Sequence, residues 1–261
     1  MRFLLSHAAI TNQKVRQADF VTAYLNSKLP EDESVYIELP DGFVEWLKET
    51  KPTTYIEDIG IQLINNPKTF VIKLKKALYG LKQAARSWYE TLGNWLIKNG
   101  FVKSMADACL FIGKDVILFA WVDDIILIGK EADNILKRLE KDFKVKDLGL
   151  ASHILGIKIS QSDHMITLSQ QHYIEELISQ YGLEDSKLNM TPMQSNIKLE
   201  TATDEEHEEF KKLNINYRAA IGSLNYLSQC TRPDMAYTVG TLSQFLEKPS
   251  LSHWSAFKRA L

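Results

Sequence analysis

The sequence predicts an α+β fold, with an antiparallel sheet backed by helices over residues 1–165 and a helical region over 166–261. Three observations carry that expectation. Two strongly apolar runs, VILFAW and IILIG, meet at Asp123-Asp124 as the arms of a hairpin. Leu81, Ala85, Trp88, Leu92 and Leu96 recur at helical spacing and stop at Asn99-Gly100, the pattern of an amphipathic helix with a C-terminal glycine. Beyond Ser169 the pattern is almost entirely helical.

In chain order, Phe3, Leu4, His7 and Ala8 suit a short opening helix without an N-cap, while Trp254, Phe257 and Leu261 close the chain on a helical stripe with no stop signal. Both ends therefore read as cut from a longer protein. Lys14 to Phe20 is expected as a strand stopping at Asp19, Val35 to Phe43 as a second extended piece, and FVIKLKK as a third. Residues 44–68, with Pro52, Gly60 and Pro67, read as a variable insertion. A helix over Ala132 to Phe143 follows the central hairpin, and ILGIKIS and MITLS flank the turn Gln161 to His164 as a second hairpin. Helices are then expected from Ser169 to Tyr181, from Tyr217 to Gln229, from Asp234 to Glu247 and from Ser252 onward.

Composition excludes several classes. With 31 basic and 33 acidic side chains the net charge is −2, so affinity for a polyanion has to come from a local cluster. Lys73 to Arg86 supplies one, with five basic residues and no acid; Glu200 to Phe210 carries six acids and no Lys or Arg and reads as a solvated loop before a helix. Cys109 and Cys230 lie in no metal-ligand spacing, and the six histidines show none either, so structural zinc is not expected. The most apolar stretch is interrupted by two carboxylates and falls short of the roughly 18 apolar residues of a membrane span, so no membrane association is expected.

The chemistry concentrates on carboxylates. Asp123 and Asp124 sit between apolar strands, where adjacent charges repel unless hydrated, hydrogen-bonded or bound to a cation. A lone Asp-Asp is more often a plain turn. Asp19 ends another predicted strand, and three carboxylates on a strand scaffold suit Mg²⁺ and substrate phosphates, which points to phosphoryl transfer. Tyr24 is placed to set a ring beneath a sugar, although a core aromatic explains it equally well, and Lys82 with Arg86 form an i,i+4 pair suited to phosphate, although such a pair is more often a solvated helix face.

At this point the residues resemble the reverse transcriptases of copia-like LTR retrotransposons, through nearly the whole chain. QADFVTAYLN is similar to the family's first catalytic segment, LYGLKQAARSWY to its template-contacting segment and AWVDDIILIG to its paired-aspartate hairpin. KDLGLASHILGIKI resembles the approach to the primer grip, and LSQQHYIEEL, MTPM, YRAAIGSLNYLSQCTRPDMAYTVGTLSQF and HWSAFKRAL resemble the tail before ribonuclease H. Trp121 stands where the family usually has Tyr, and Ala85 where Pro is common.

The resemblance implies a right-hand polymerase palm over 1–165 with incomplete fingers, and a helical thumb and connection over 166–261 that stops before ribonuclease H. It implies an RNA-directed DNA polymerase taking dNTPs, an RNA template and a DNA primer, using two Mg²⁺ ions or Mn²⁺ as a substitute, alongside other segments of a Pol polyprotein. It implies an intracellular setting, in a cytoplasmic virus-like particle or the nucleus. Carried over by position, Asp19, Asp123 and Asp124 are the metal-binding catalytic carboxylates, with the Phe20 carbonyl as a further ligand. Phe20, Ala23, Tyr24, Tyr79 and Gly80 line the nucleotide site, Tyr24 as the steric gate against a ribose 2′-hydroxyl. Lys82, Gln83, Arg86, Trp121, Val122, Gly156 and Ile157 meet the nucleic acid, the last two in the primer grip, and Lys146 is a candidate proton donor to pyrophosphate. The fingers strands that hold the triphosphate would lie upstream of Met1, so two alternatives stand beside the polymerase: a non-catalytic primer–template-binding remnant, and another palm-type nucleotidyl transferase.

Overall fold

Three neighbouring strands, Val15–Phe20, Val116–Trp121 and Asp124–Gly129, supply most of the buried residues of the sheet that carries the carboxylates. The computed structural model describes residues 1–30, 33–50, 62–63 and 66–261. It divides into two units, Met1–Ala151 and Ser152–Leu261.

The first unit opens with α1 (Arg2–Ile10) and β1 (Val15–Phe20), followed by a 3₁₀ turn over Ala23–Asn26. β2 (Tyr36–Glu38), α2 (Phe43–Thr50) and β3 (Val71–Lys73) come next, with β2 and β3 paired as a two-stranded antiparallel ribbon. The expected extended piece over Val35 to Phe43 is thus shorter: the strand stops at Glu38, a turn follows at Asp41-Gly42, and Phe43 starts a helix. Most of the expected insertion at 44–68 lies outside the described residues. Next come α3 (Ala84–Lys98), β4 (Val102–Lys103), β5 (Leu110–Gly113), β6 (Val116–Trp121), β7 (Asp124–Gly129), α4 (Ala132–Asp142) and β8 (Val145–Leu150). Six strands form one antiparallel sheet in the order β4-β5-β6-β7-β1-β8.

Side chains alternate across a strand, so one face of this sheet carries Ala18, Phe20, Val116, Leu118, Ile125 and Leu127. All six are buried against Trp88, Leu92 and Leu96 of α3 and Ile135, Leu136 and Leu139 of α4. Asp19 and Asp124 alternate onto the face away from those helices.

The second unit begins with β9 (His153–Ile154), β10 (Ile157–Ser162) and β11 (Met165–Ser169), a three-stranded antiparallel sheet. It continues through α5 (Gln171–Gln180), α6 (Asp204–Lys211), α7 (Tyr217–Cys230), α8 (Ala236–Leu242) and α9 (Leu251–Ala260). The division after Ala151 falls earlier than the change near residue 165 that the helical pattern suggested, because β10 pairs only with β9 and β11, and the Tyr226 hydroxyl of α7 donates to the Leu155 carbonyl at 2.5 Å. The helical core gathers Leu177, Phe210, Ile221, Leu224, Met235 and Phe257.

One expectation is corrected here. The acidic run is a loop only as far as Thr203: Asp204 to Lys211 is helical, with a capping box between Thr203 and Glu206. Asp204, Glu205 and Glu206 fall in its first turn, where negative charge meets the positive end of the helix dipole. Among the described residues no helix is long and apolar enough to cross a membrane.

The feature that fixes the central hairpin is a buried indole. Trp88 packs edge-on against Phe20, with ring centroids 4.8 Å apart, and its Nε1–H donates to the Val122 carbonyl at 2.8 Å. Trp88→Phe is expected to keep the ring contacts, lose that bond and some volume, and destabilise by about 2 kcal/mol. Thermal unfolding should show this as a melting point lower by roughly 4–8 °C.

Candidate active site

β6 and β7 are joined by two residues, Val122 and Asp123, since Trp121 pairs with Asp124. The tight connection needs a left-handed first residue, and Val122 takes it with φ of 54°. For a β-branched side chain this is strained, costing on the order of 1–2 kcal/mol. The Trp88 bond to the Val122 carbonyl and a bond from the Phe20 N–H to the Asp123 carbonyl, 2.8 Å, hold the turn in place. The paired aspartates therefore divide: Asp123 belongs to the turn and Asp124 to the strand.

Across the sheet, Trp121 stands opposite Asp124, Asp124 opposite Asp19, and Asp19 opposite Lys146. Directly opposed residues share a face, with Cβ atoms about 4.5–5.5 Å apart. One row of side chains thus runs Trp121, Asp124, Asp19, Lys146. Burial, then the charges of Asp124 and Asp123, push the Asp19 carboxyl above the usual carboxylate range, against the opposing pull of Lys146. Buried Gln17, on the same face two residues before Asp19, approaches Asp124 Oδ1 with its amide at 3.5 Å.

Lys146 reaches this row through a bulge. Gln17 pairs with Gly149 but Ala18 with Asp147, so Leu148 is the extra residue, and Gly149 has φ of 78°. Asp147 instead binds Arg16 at 2.6 Å, and Arg16 also reaches Asp133 at 3.1 Å.

The nucleotide-site residues fall into two groups. The Tyr79 hydroxyl donates to the Asp123 carboxylate, at 2.8 Å from Oδ1 and 2.9 Å from Oδ2, and its ring lies 4.4 Å from the Tyr24 ring. Burial and Asp123 push the Tyr79 phenol up to about 12. Gly80 follows with φ of 98°. Phe20 and Ala23, by contrast, are buried in the core. Trp121 and Val122 are exposed beside Asp124.

The basic segment departs from its expected geometry. Lys82 and Gln83 precede α3, which starts at Ala84, so Lys82 and Arg86 are not an i,i+4 pair of one helix. Arg86 pairs with Glu90 at 2.8 Å. In the second unit, Leu155 and Gly156 are the two residues between β9 and β10, both with positive φ, and Ile157 is buried. Gly156 is required twice over: its φ is 76°, and a Cβ there would lie 2.8 Å from the Tyr226 hydroxyl.

Among the described residues no group of three His, Cys, Asp or Glu side chains is gathered closely enough to hold a metal ion. The donor set nonetheless fits a hard divalent cation. Asp19, Asp123 and Asp124 offer only oxygen ligands, two of them on directly opposed residues, with Asp19 short of compensating positive charge. Sequence reasoning missed the parts played by Trp88, Gln17 and the bulge. For Gln17 the signal was present in its two-residue spacing from Asp19.

Because Asp19 is raised, its cost to stability is absent below the carboxylate range and grows as pH rises through its folded value. Asp19→Asn should therefore raise the melting point of the metal-free protein at pH 7, read by thermal unfolding. The gain should vanish in scans carried down to acid pH.

Residues 47–195 match the family described as reverse transcriptase (RNA-dependent DNA polymerase); Asp19 to Tyr24 precede that match. The chain is 35% identical over 99% of its length to the retrovirus-related Pol polyprotein from transposon TNT 1-94 of Nicotiana tabacum, and 35% identical over its full length to that from transposon RE1 of Arabidopsis thaliana. It spans 19% and 16% of those two polyproteins. It is 31% identical over 93% of its length to the transposon Ty5-1 protein YCL074W of Saccharomyces cerevisiae, covering 73% of that protein. With the family matched over more than half of the sequence and 73% of the yeast protein covered at 31% identity, this chain belongs to the reverse transcriptase family, with relatives among the Pol polyproteins of copia-like transposons.

Proposed function

We propose that the chain is the polymerase core of a copia-like Pol polyprotein, an RNA-directed DNA polymerase that extends a DNA primer on an RNA template with dNTPs. The first unit is the palm of a right-hand polymerase with incomplete fingers, and the second is its helical thumb and connection. The observation that carries this reading is the Trp121–Asp124–Asp19–Lys146 row, set beside the Asp123 turn on a sheet whose other face is covered by two helices.

In the reaction the primer 3′-oxygen forms a bond to the α-phosphorus of the dNTP, the bond from that phosphorus to the pyrophosphate oxygen breaks, and the hydroxyl proton is lost to water. Asp19, Asp123 and Asp124, with the Phe20 carbonyl, would hold two Mg²⁺ ions or Mn²⁺ in their place, which supply charge neutralisation and a lowered pKa for the attacking hydroxyl. The Tyr24 ring, propped by Tyr79, excludes a 2′-hydroxyl by steric collision. Tyr79 and Gly80 face the nascent base pair, and Trp121 and Val122 lie beside the primer end. Lys82 and Gln83 take template or nucleotide phosphate; Arg86 does so on leaving Glu90. Gly156 and Ile157 form the primer grip, where a glycine lets the strand approach the backbone. Lys146 stands opposite Asp19, so its charge is directed at that carboxylate more than at a leaving pyrophosphate. The work is intracellular, in a cytoplasmic virus-like particle or the nucleus, beside other Pol segments.

Primer extension on an RNA template with Mg²⁺ and dNTPs tests the reading. Asp123→Asn and Asp124→Asn should each lower extension by at least about a hundredfold. Undiminished extension by either would overturn the carboxylate assignment. A folded wild-type chain that extends nothing yet binds primer–template in a steeply salt-dependent way is the binding remnant instead. Tyr24→Ala should raise rNTP use relative to dNTP use on the order of tenfold, read from single-nucleotide incorporation.

A further inference from the structure

We propose that Tyr79 is a positioning residue for the metal-binding carboxylate: its hydroxyl and a divalent cation compete for the same two oxygens of Asp123. The inference rests on the reading of Asp123 as a metal ligand.

Three observations support it. The hydroxyl bonds both carboxylate oxygens, at 2.8 and 2.9 Å, so neither oxygen is left to one side of the contact. The main chain of Ala23 and Tyr24 also acts on the Tyr79 hydroxyl, opposing the rise in its pKa. The Tyr79 ring is half-exposed and lies against the Tyr24 ring at an interplanar angle of 37°, a contact that does not depend on the hydroxyl bond.

The consequence is a physical coupling. With no cation, Tyr79 donates a proton in a hydrogen bond to Asp123 and offsets part of the repulsion among Asp19, Asp123 and Asp124. A cation is the stronger partner for a carboxylate, and it takes Asp123 at the cost of that hydrogen bond. The hydroxyl is then released beside Tyr24. The aromatic hydroxyl thus holds the turn aspartate in one orientation until metal and nucleotide arrive.

The test measures Mn²⁺ affinity of the full chain without nucleic acid or nucleotide, by the electron paramagnetic resonance signal of free Mn²⁺, for the wild type, Tyr79→Phe, Asp123→Asn and the double variant. Folding of each is checked by thermal unfolding. Removing a hydrogen bond to a charged group should tighten Mn²⁺ binding by about two- to tenfold in Tyr79→Phe. That gain should disappear in the Asp123→Asn background. If Asp123→Asn weakens Mn²⁺ binding while Tyr79→Phe leaves it unchanged or weaker, the competition is refuted and the metal reading stands. If Asp123→Asn has no effect on Mn²⁺ affinity, the metal reading of Asp123 fails, and the competition with it.

Discussion

Two like charges placed directly opposite each other on neighbouring strands govern this molecule. Asp19 and Asp124 are register partners of β1 and β7, an arrangement that weakens an antiparallel pair. The sheet can carry it because its other face is strongly buried. Phe20, Ile125, Leu118 and Leu127 close on α3 and α4, and full burial of each such side chain contributes roughly 1.5–3 kcal/mol. The apolar face holds the strands at ladder distance, and the polar face thereby receives its charges at fixed separation.

The same logic explains the turn. Val122 is held in a left-handed conformation that a glycine would adopt at little cost. The turn is over-determined by its surroundings, since the Trp88 indole takes the Val122 carbonyl and the Phe20 amide takes the Asp123 carbonyl. Both donors come from residues whose rings are buried in the core, with Phe20, Trp88 and Phe143 in mutual edge-on contact. Core packing is therefore transmitted directly to the backbone of the aspartate turn, and Asp123 presents its carboxylate outward from a rigid base.

Much of this was legible in the sequence, for identifiable reasons. The central hairpin and the helix ending at Asn99-Gly100 are long, strongly periodic and bounded by turn residues, so pattern alone locates them. The carboxylate trio followed from where predicted strands stop. The charge density of the acidic run suggests a solvated loop throughout and hides the helix from Asp204 onward, although Thr203 and Glu206 stand at capping-box spacing and mark its start. Lys82 was placed on a helix that begins two residues later, since the apolar stripe runs into the preceding turn at Leu81. The Tyr79–Asp123 contact spans residues 44 apart, and no periodicity encodes a bond of that range.

The bulge in β8 shows how a single extra residue sets the sign of a site. Had the pairing of Gln17 with Gly149 continued in step, Asp147 would stand opposite Asp19, adding a further negative charge to a row already under repulsion. Leu148 is accommodated as the extra residue, Gly149 supplies the left-handed backbone, and Lys146 moves into the position beside Asp19. Asp147 is displaced toward Arg16 and forms an ion pair there at 2.6 Å. Lys146 and Asp147 are thereby each set beside a group of opposite sign by the strand's local geometry. The pattern of acids and bases along KVKDLGL only acquires meaning once that one-residue slip is known, because without it the alternating faces of β8 carry the opposite charges.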